Sequence, residues 1–157
     1  MRTLLLIMIL QVTFLFSAPG DLLWRYKLDD LTVSSAFVVN NIAYIGCEDG
    51  YLYAIYANNG TLKWRYKTEG YGYTSSPCVS NGIVYFGTGA GEESNFYALN
   101  AENGTFIWKY RNYENIRSTP SVYNGIVYFN SDYIFALNAA NGEEVWKYSS
   151  NYTWGSP

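Results

Sequence analysis

Few residues in this chain could do chemistry. Its two cysteines, Cys47 and Cys78, stand 31 residues apart, and its carboxylates cluster as Asp29-Asp30, Glu48-Asp49, Glu92-Glu93 and Glu143-Glu144, all in expected turns. Histidine is absent, which removes the commonest general base and the commonest metal ligand together. A serine without a histidine partner cannot form the usual hydrolase triad. Zinc lacks both histidine and clustered cysteine, and no carboxylate series has EF-hand spacing. Gly87-Thr88-Gly89-Ala90-Gly91 has the look of a phosphate cradle, but a dinucleotide loop must open a helix whose first amides hold the pyrophosphate. Here it leads to an apolar run from Asn95 to Ala101, so a long hairpin loop is expected, a weak candidate for interaction. Asn59-Gly60-Thr61, Asn103-Gly104-Thr105 and Asn151-Tyr152-Thr153 are glycosylation sequons. No catalytic, cofactor-binding or metal-ligating residue is nominated, and no cofactor is expected.

Residues 1–20 set the compartment. Arg2 gives a short positive start, Leu4 to Phe16 is an apolar run broken only by Gln11 and Thr13, and Ser17-Ala18-Pro19-Gly20 follows. This is the pattern of a secretory signal peptide, and the run of 13 residues falls short of the ~20 that span a bilayer. With residues 1–20 removed, Arg2 goes too, leaving 9 Lys+Arg against 13 Asp+Glu, a net charge of −4. That sign excludes the basic stripe of a nucleic-acid binder, and no stable membrane span is expected after signal removal. An exported chain with two cysteines allows a disulfide. Cys47 and Cys78 fall in successive repeats, where separation usually exceeds disulfide reach, roughly 7 Å between Cα atoms; two half-buried free thiols are the favoured reading.

The elements that must carry these residues repeat. Trp24, Trp64, Trp108 and Trp146 are spaced by 40, 44 and 38 residues, each in one phrase: Leu23-Trp24-Arg25-Tyr26, Lys63-Trp64-Arg65-Tyr66, Ile107-Trp108-Lys109-Tyr110 and Val145-Trp146-Lys147-Tyr148. Asn81-Gly82-Ile83-Val84-Tyr85-Phe86 recurs as Asn124-Gly125-Ile126-Val127-Tyr128-Phe129, with Asn40-Asn41-Ile42-Ala43-Tyr44-Ile45 as a divergent copy. Asn59-Gly60, Asn103-Gly104 and Asn141-Gly142 each precede the next Trp by four residues from the Gly. Asn-Gly between apolar runs is a strong hairpin signal, because both residues tolerate positive φ. Two hairpins per repeat predict four-stranded antiparallel meanders at 33–67, 75–111 and 118–149, with a lone outermost strand at 22–28. Four short strands at a period near 40 form the blade of a β-propeller.

Leu-Tyr-Ala-Leu-Asn-Ala-x-Asn-Gly-x-x-x-Trp-Lys-Tyr, with Ser-Pro and Asn-Gly-Ile-Val-Tyr-Phe-Gly between copies, resembles the PQQ-like (pyrroloquinoline-quinone-like) propeller repeat, shared by BamB-type outer-membrane assembly factors. The resemblance covers about residues 22–157. It implies an all-β propeller segment, about three complete blades and flanking strands of an incomplete ring, with 21–157 as one propeller segment after the signal. It also implies that each repeat tryptophan, on the outermost strand, docks against a neighbouring blade near the turn glycine: Trp64 with Gly60, Trp108 with Gly104 and Trp146 with Gly142 as inter-blade staples. Quinone dehydrogenases of this family carry adjacent cysteines and a Glu-Asn-Asp set on calcium, and this sequence has no adjacent cysteines. The expected function is a non-catalytic exported scaffold for protein or envelope interactions, the N-terminal part of a longer propeller. The alternatives are a portion of a quinone dehydrogenase, or sugar binding through Tyr71, Tyr73 and Tyr113. Self-association of incomplete arcs would restore closure.

Overall fold

A computed structural model describes residues 21–69, 75–89, 94–149 and 157. Every regular element among them is a strand. The first sheet runs β1 (Phe37–Val39), β2 (Ile42–Gly46), β3 (Tyr51–Tyr56) and β4 (Leu62–Lys67); the second β5 (Cys78–Ser80), β6 (Ile83–Gly87), β7 (Ser94–Asn100) and β8 (Phe106–Asn112); the third β9 (Ser121–Tyr123), β10 (Ile126–Asn130), β11 (Tyr133–Asn138) and β12 (Glu144–Ser149). Each sheet is an antiparallel meander in chain order. The three blades form an unclosed arc, with β1, β5 and β9 side by side at its inner edge. There the Ser35 amide donates to Ser76 Oγ at 2.8 Å.

The first hairpin of each blade is a two-residue turn with both residues at positive φ: Asn40 and Asn41 at 49° and 62°, Asn81 and Gly82 at 50° and 75°, Asn124 and Gly125 at 48° and 76°. That is a type I′ turn, whose twist matches the strands it joins. The second hairpin departs from the sequence expectation. Only its glycine is left-handed (Gly60 72°, Gly104 73°, Gly142 75°), while Asn59, Asn103 and Asn141 are not. The turn is longer: Tyr56 and Thr61 pair across it, Gly60 N donates back to Tyr56 O, and the ladder shifts register between Ala54 and Ile55. Asn59 Oδ1 instead accepts from the Thr61 amide, as Asn103 Oδ1 does from Thr105. Asparagine therefore closes an Asx turn here rather than supplying a positive φ.

The core lies between blades, because a strand face must bury its apolar side against another layer. Tyr44, Leu52 and Ala54 of the first blade pack with Val84, Phe86, Tyr97 and Leu99 of the second. Phe96 of the second blade stacks on Phe129 of the third, centroids 4.1 Å apart, and Phe129 on Phe135 at 4.8 Å. Residues 21–28 join none of the three sheets. Trp24, Tyr26 and Leu28 instead pack on a small cluster of Cys47, Tyr53 and Ile55 on the first blade.

The expected signal peptide (1–20), part of the glycine loop (90–93), Tyr71, Tyr73 and the third sequon (151–153) lie outside the described residues. No helix among the described residues is long and apolar enough to cross a membrane. Cys47 is buried, Cys78 half-buried, and both are free thiols.

Candidate functional site

The side chains that the repeat places with most constancy converge at the seams between blades, on the turn before each outermost strand. A β-carbon added to Gly104 would lie 2.7 Å from the Trp64 ring; the same holds for Gly142 against Trp108 (2.6 Å) and Gly60 against Trp24 (2.7 Å). Each indole therefore rests flat on bare backbone that only glycine supplies, at a φ that only glycine adopts freely. The indole NH is satisfied at the same turn: Trp24 Nε1 donates to Ala57 O at 2.8 Å, Trp64 to Ala101 O at 3.1 Å and Trp108 to Ala139 O at 3.1 Å. The tryptophan of one repeat thus serves the turn glycine about forty residues on, not the glycine four residues before it.

A second donor meets the same carbonyl. Tyr44 Oη on β2 donates to Ala101 O at 3.0 Å and Tyr85 Oη on β6 to Ala139 O at 3.0 Å. Each pair of donors is preassembled in a tilted ring contact, Tyr44 with Trp64 at 5.8 Å and Tyr85 with Trp108 at 5.9 Å. Both lone pairs of one buried carbonyl are used, which meets the rule that buried backbone polar groups be paired. Sequence inspection singled out the tryptophans and missed the tyrosines. Their signal was present in the repeated Tyr44, Tyr85 and Tyr128, two residues into the second strand of each blade.

A further clasp was also missed. Ser34, Ser75 and Ser118 sit before the innermost strands, and their hydroxyls bond the ends of β2, β6 and β10: Gly46 N and O, Gly87 N, and Asn130 N and O. Ile116, fully buried, presses on Gly87, where a β-carbon would meet its side chain at 2.2 Å. Charges line the outer rim: Lys63 pairs with Glu102 of the next blade at 2.6 Å, Tyr110 Oη donates to Glu144 at 2.6 Å, and Lys109 bonds Glu69.

Trp146 occupies the seam position of the third blade, with Tyr128 beside it at 6.0 Å, but it is 43% exposed where Trp108 is 7%. All six residues of β12 are exposed.

Burial sets the titration of these groups. Tyr85 and Tyr97 are pushed up to about 12 by desolvation, and Tyr110 to about 12 by desolvation with the Glu144 carboxylate beside it. Burial also raises the thiols of Cys47 and Cys78. None of these groups is shifted toward a nucleophile or base at neutral pH. Among the described residues, no group of three or more histidine, cysteine, aspartate or glutamate side chains could hold a metal ion.

The family model described as outer membrane protein assembly factor BamB matches residues 11–92 and 73–153, almost the whole chain. The chain belongs to the BamB family. No curated protein sequence matches it. BamB from Moraxella catarrhalis superposes with a TM-score of 0.70 at 22% identity, over 83% of this chain and 40% of that one. The quinohemoprotein alcohol dehydrogenase ADHIIG from Pseudomonas putida HK5 does so with a TM-score of 0.69 at 22% identity, over 81% and 22%. The computationally designed Ika4 protein gives 0.69 at 14% identity, over 85% and 81%. At these identities the likeness is one of fold. The chain spans well under half the length of the Moraxella BamB and of the dehydrogenase.

Proposed function

We propose that this BamB-family chain is an exported, non-catalytic propeller segment that presents loop surfaces to protein or cell-envelope partners. The observation that carries the reading is the use made of its reactive groups. Tyr44, Trp64, Tyr85 and Trp108 are spent on inter-blade carbonyls, and the tyrosine and thiol shifts run upward, away from reactivity at neutral pH. The carboxylates Asp29, Glu69 and Glu102 stand in ion pairs with Arg65, Lys109 and Lys63, not around a shared point. The residues present do not fit a quinone–calcium centre: adjacent cysteines are absent from the sequence, and no described carboxylate cluster would hold the ion. Export is supported by the leader pattern of residues 1–20 and by the family's description as an outer-membrane assembly factor.

Two measurements test this. Pyrroloquinoline quinone with calcium should leave the melting temperature unchanged and support no alcohol-dependent dye reduction; a rise of several degrees with turnover would overturn the reading. A photo-cross-linking residue in place of Tyr113, which is 71% exposed beyond β8, should yield a discrete adduct with one envelope component. Its absence from intact cells would count against a partner at that loop.

A further inference from the structure

The dipeptide Asn-Gly occurs five times, as Asn59-Gly60, Asn81-Gly82, Asn103-Gly104, Asn124-Gly125 and Asn141-Gly142. All five asparagines are exposed, yet the fold holds the pairs in two ways. At 59, 103 and 141 the pair is locked. The glycine amide donates to Tyr56 O, Asn100 O or Asn138 O, each at 2.8 Å. The asparagine Oδ1 accepts from the amide two residues on, at 3.0, 3.0 and 3.1 Å. The glycine lies under an indole, where an added β-carbon would come within 2.7 Å of the ring. At 81 and 124 none of these restraints is present. Among the described residues, no group accepts from the Gly82 or Gly125 amide, and the Asn81 and Asn124 side chains make no hydrogen bond. No atom lies within 4 Å of a β-carbon added to either glycine.

We infer that Asn81 and Asn124 are sites of spontaneous covalent modification, deamidation through a succinimide, and that Asn59, Asn103 and Asn141 are shielded from it. The Gly82 amide nitrogen loses its proton and attacks Asn81 Cγ. The new N–C bond closes a five-membered ring, the Cγ–Nδ2 bond breaks, and Nδ2 leaves with that proton as ammonia. Water, the only co-reactant, then opens the ring at either carbonyl to give aspartate or isoaspartate. Gly125 acts on Asn124 in the same way. Glycine permits the attack because no side chain blocks the nitrogen and its backbone turns freely. An exposed, unbonded turn makes that rotation as a local opening. At the locked turns two hydrogen bonds must break first, and the glycine must lift from its indole. The modification reaches the seams. Gly82 O accepts from Ala101 N and Gly125 O from Ala139 N, both at 2.9 Å, and the carbonyls of Ala101 and Ala139 are the ones that receive the seam indoles and phenols. Isoaspartate adds one carbon to the backbone of a two-residue turn and displaces the glycine carbonyl, so the strain passes to those acceptors. This inference needs only the turns and stands apart from the scaffold reading.

The test is ageing of the folded full chain at mildly alkaline pH, with peptide mass mapping and enzymatic methylation of isoaspartate at intervals. A parallel sample is aged in guanidinium chloride, where the turns are gone. The expected result in the folded protein is conversion at Asn81 and Asn124, with Asn59, Asn103 and Asn141 slower by ~10-fold or more, since two hydrogen bonds hold each. In denaturant all five should react at similar rates. The urea midpoint of the folded sample should fall as conversion proceeds. The double variant Asn81→Gly with Asn124→Gly, whose Gly-Gly turns keep the type I′ geometry, should hold its midpoint over the same period. Similar rates at Asn81 and Asn103 in the folded chain would overturn the inference, as would unmodified Asn81 and Asn124 once the denatured sample has reacted. A midpoint unchanged after full conversion would overturn the coupling to the seams.

Discussion

At the scale of residues, the unit of cohesion is an indole laid on a glycine with its NH on the carbonyl three residues earlier in the same turn. Gly104 shows how little latitude this leaves: a β-carbon would lie 2.7 Å from the Trp64 ring, at a φ of 73°. Gly104→Ala therefore combines left-handed strain, about 1–2 kcal/mol, with overpacking of about 1–3 kcal/mol. We expect a loss of about 3 kcal/mol in urea unfolding. Gly125→Ala, where no atom lies within 4 Å of the added carbon, should lose only the strain term. The phenols give a pH signature. Tyr85 titrates near 12 in the folded protein against about 10 when unfolded. Above pH 10 the unfolded chain thus holds fewer protons, and stability falls as pH rises toward 12. Tyr85→Phe should flatten part of that alkaline fall and leave the stability difference from the parent constant below pH 10, which unfolding curves across pH 8–12 would read.

At the scale of elements, much was legible because each turn carries its own chemistry. Asn81-Gly82 and Asn124-Gly125 needed two positive φ angles and have them, so the β5–β6 and β9–β10 hairpins could be read from dipeptides. Asn103-Gly104 reads identically yet forms a longer turn, because a register shift at Ala98/Leu99 lengthens the connection and the asparagine bonds Thr105 instead. A dipeptide does not record a ladder slip. The staple partners were illegible for a related reason. Trp64 lies four residues from Gly60 in sequence, but the outward path of β4 carries its ring away from its own turn and onto Gly104 of the next blade. Tyr44, Tyr85 and the Ser34, Ser75 and Ser118 clasps escaped notice because Tyr and Ser are abundant here, and only the seam geometry separates them from surface residues. The difference between the turns is testable: Asn81→Ala should cost about 1–2 kcal/mol through its positive φ. Asn141→Ala, with no left-handed angle, should cost less than about 1 kcal/mol.

At the scale of the whole molecule, an arc of three blades has its core in its seams, and stability is close to a sum over neighbouring blades. Among the described residues, Trp64 and Trp108 join neighbouring blades, Trp24 is seated on the first blade, and Trp146 stays 43% exposed. The account makes the tryptophans the structural joints of a propeller, with cohesion depending on whether a blade follows. The most direct test is the urea-unfolding loss of Trp108→Ala set beside that of Trp146→Ala, followed by far-ultraviolet circular dichroism at a concentration too low for association. The account predicts about 3–5 kcal/mol for Trp108, whose indole is buried on Gly142, and under about 1 kcal/mol for Trp146. Equal losses at the two positions would contradict it.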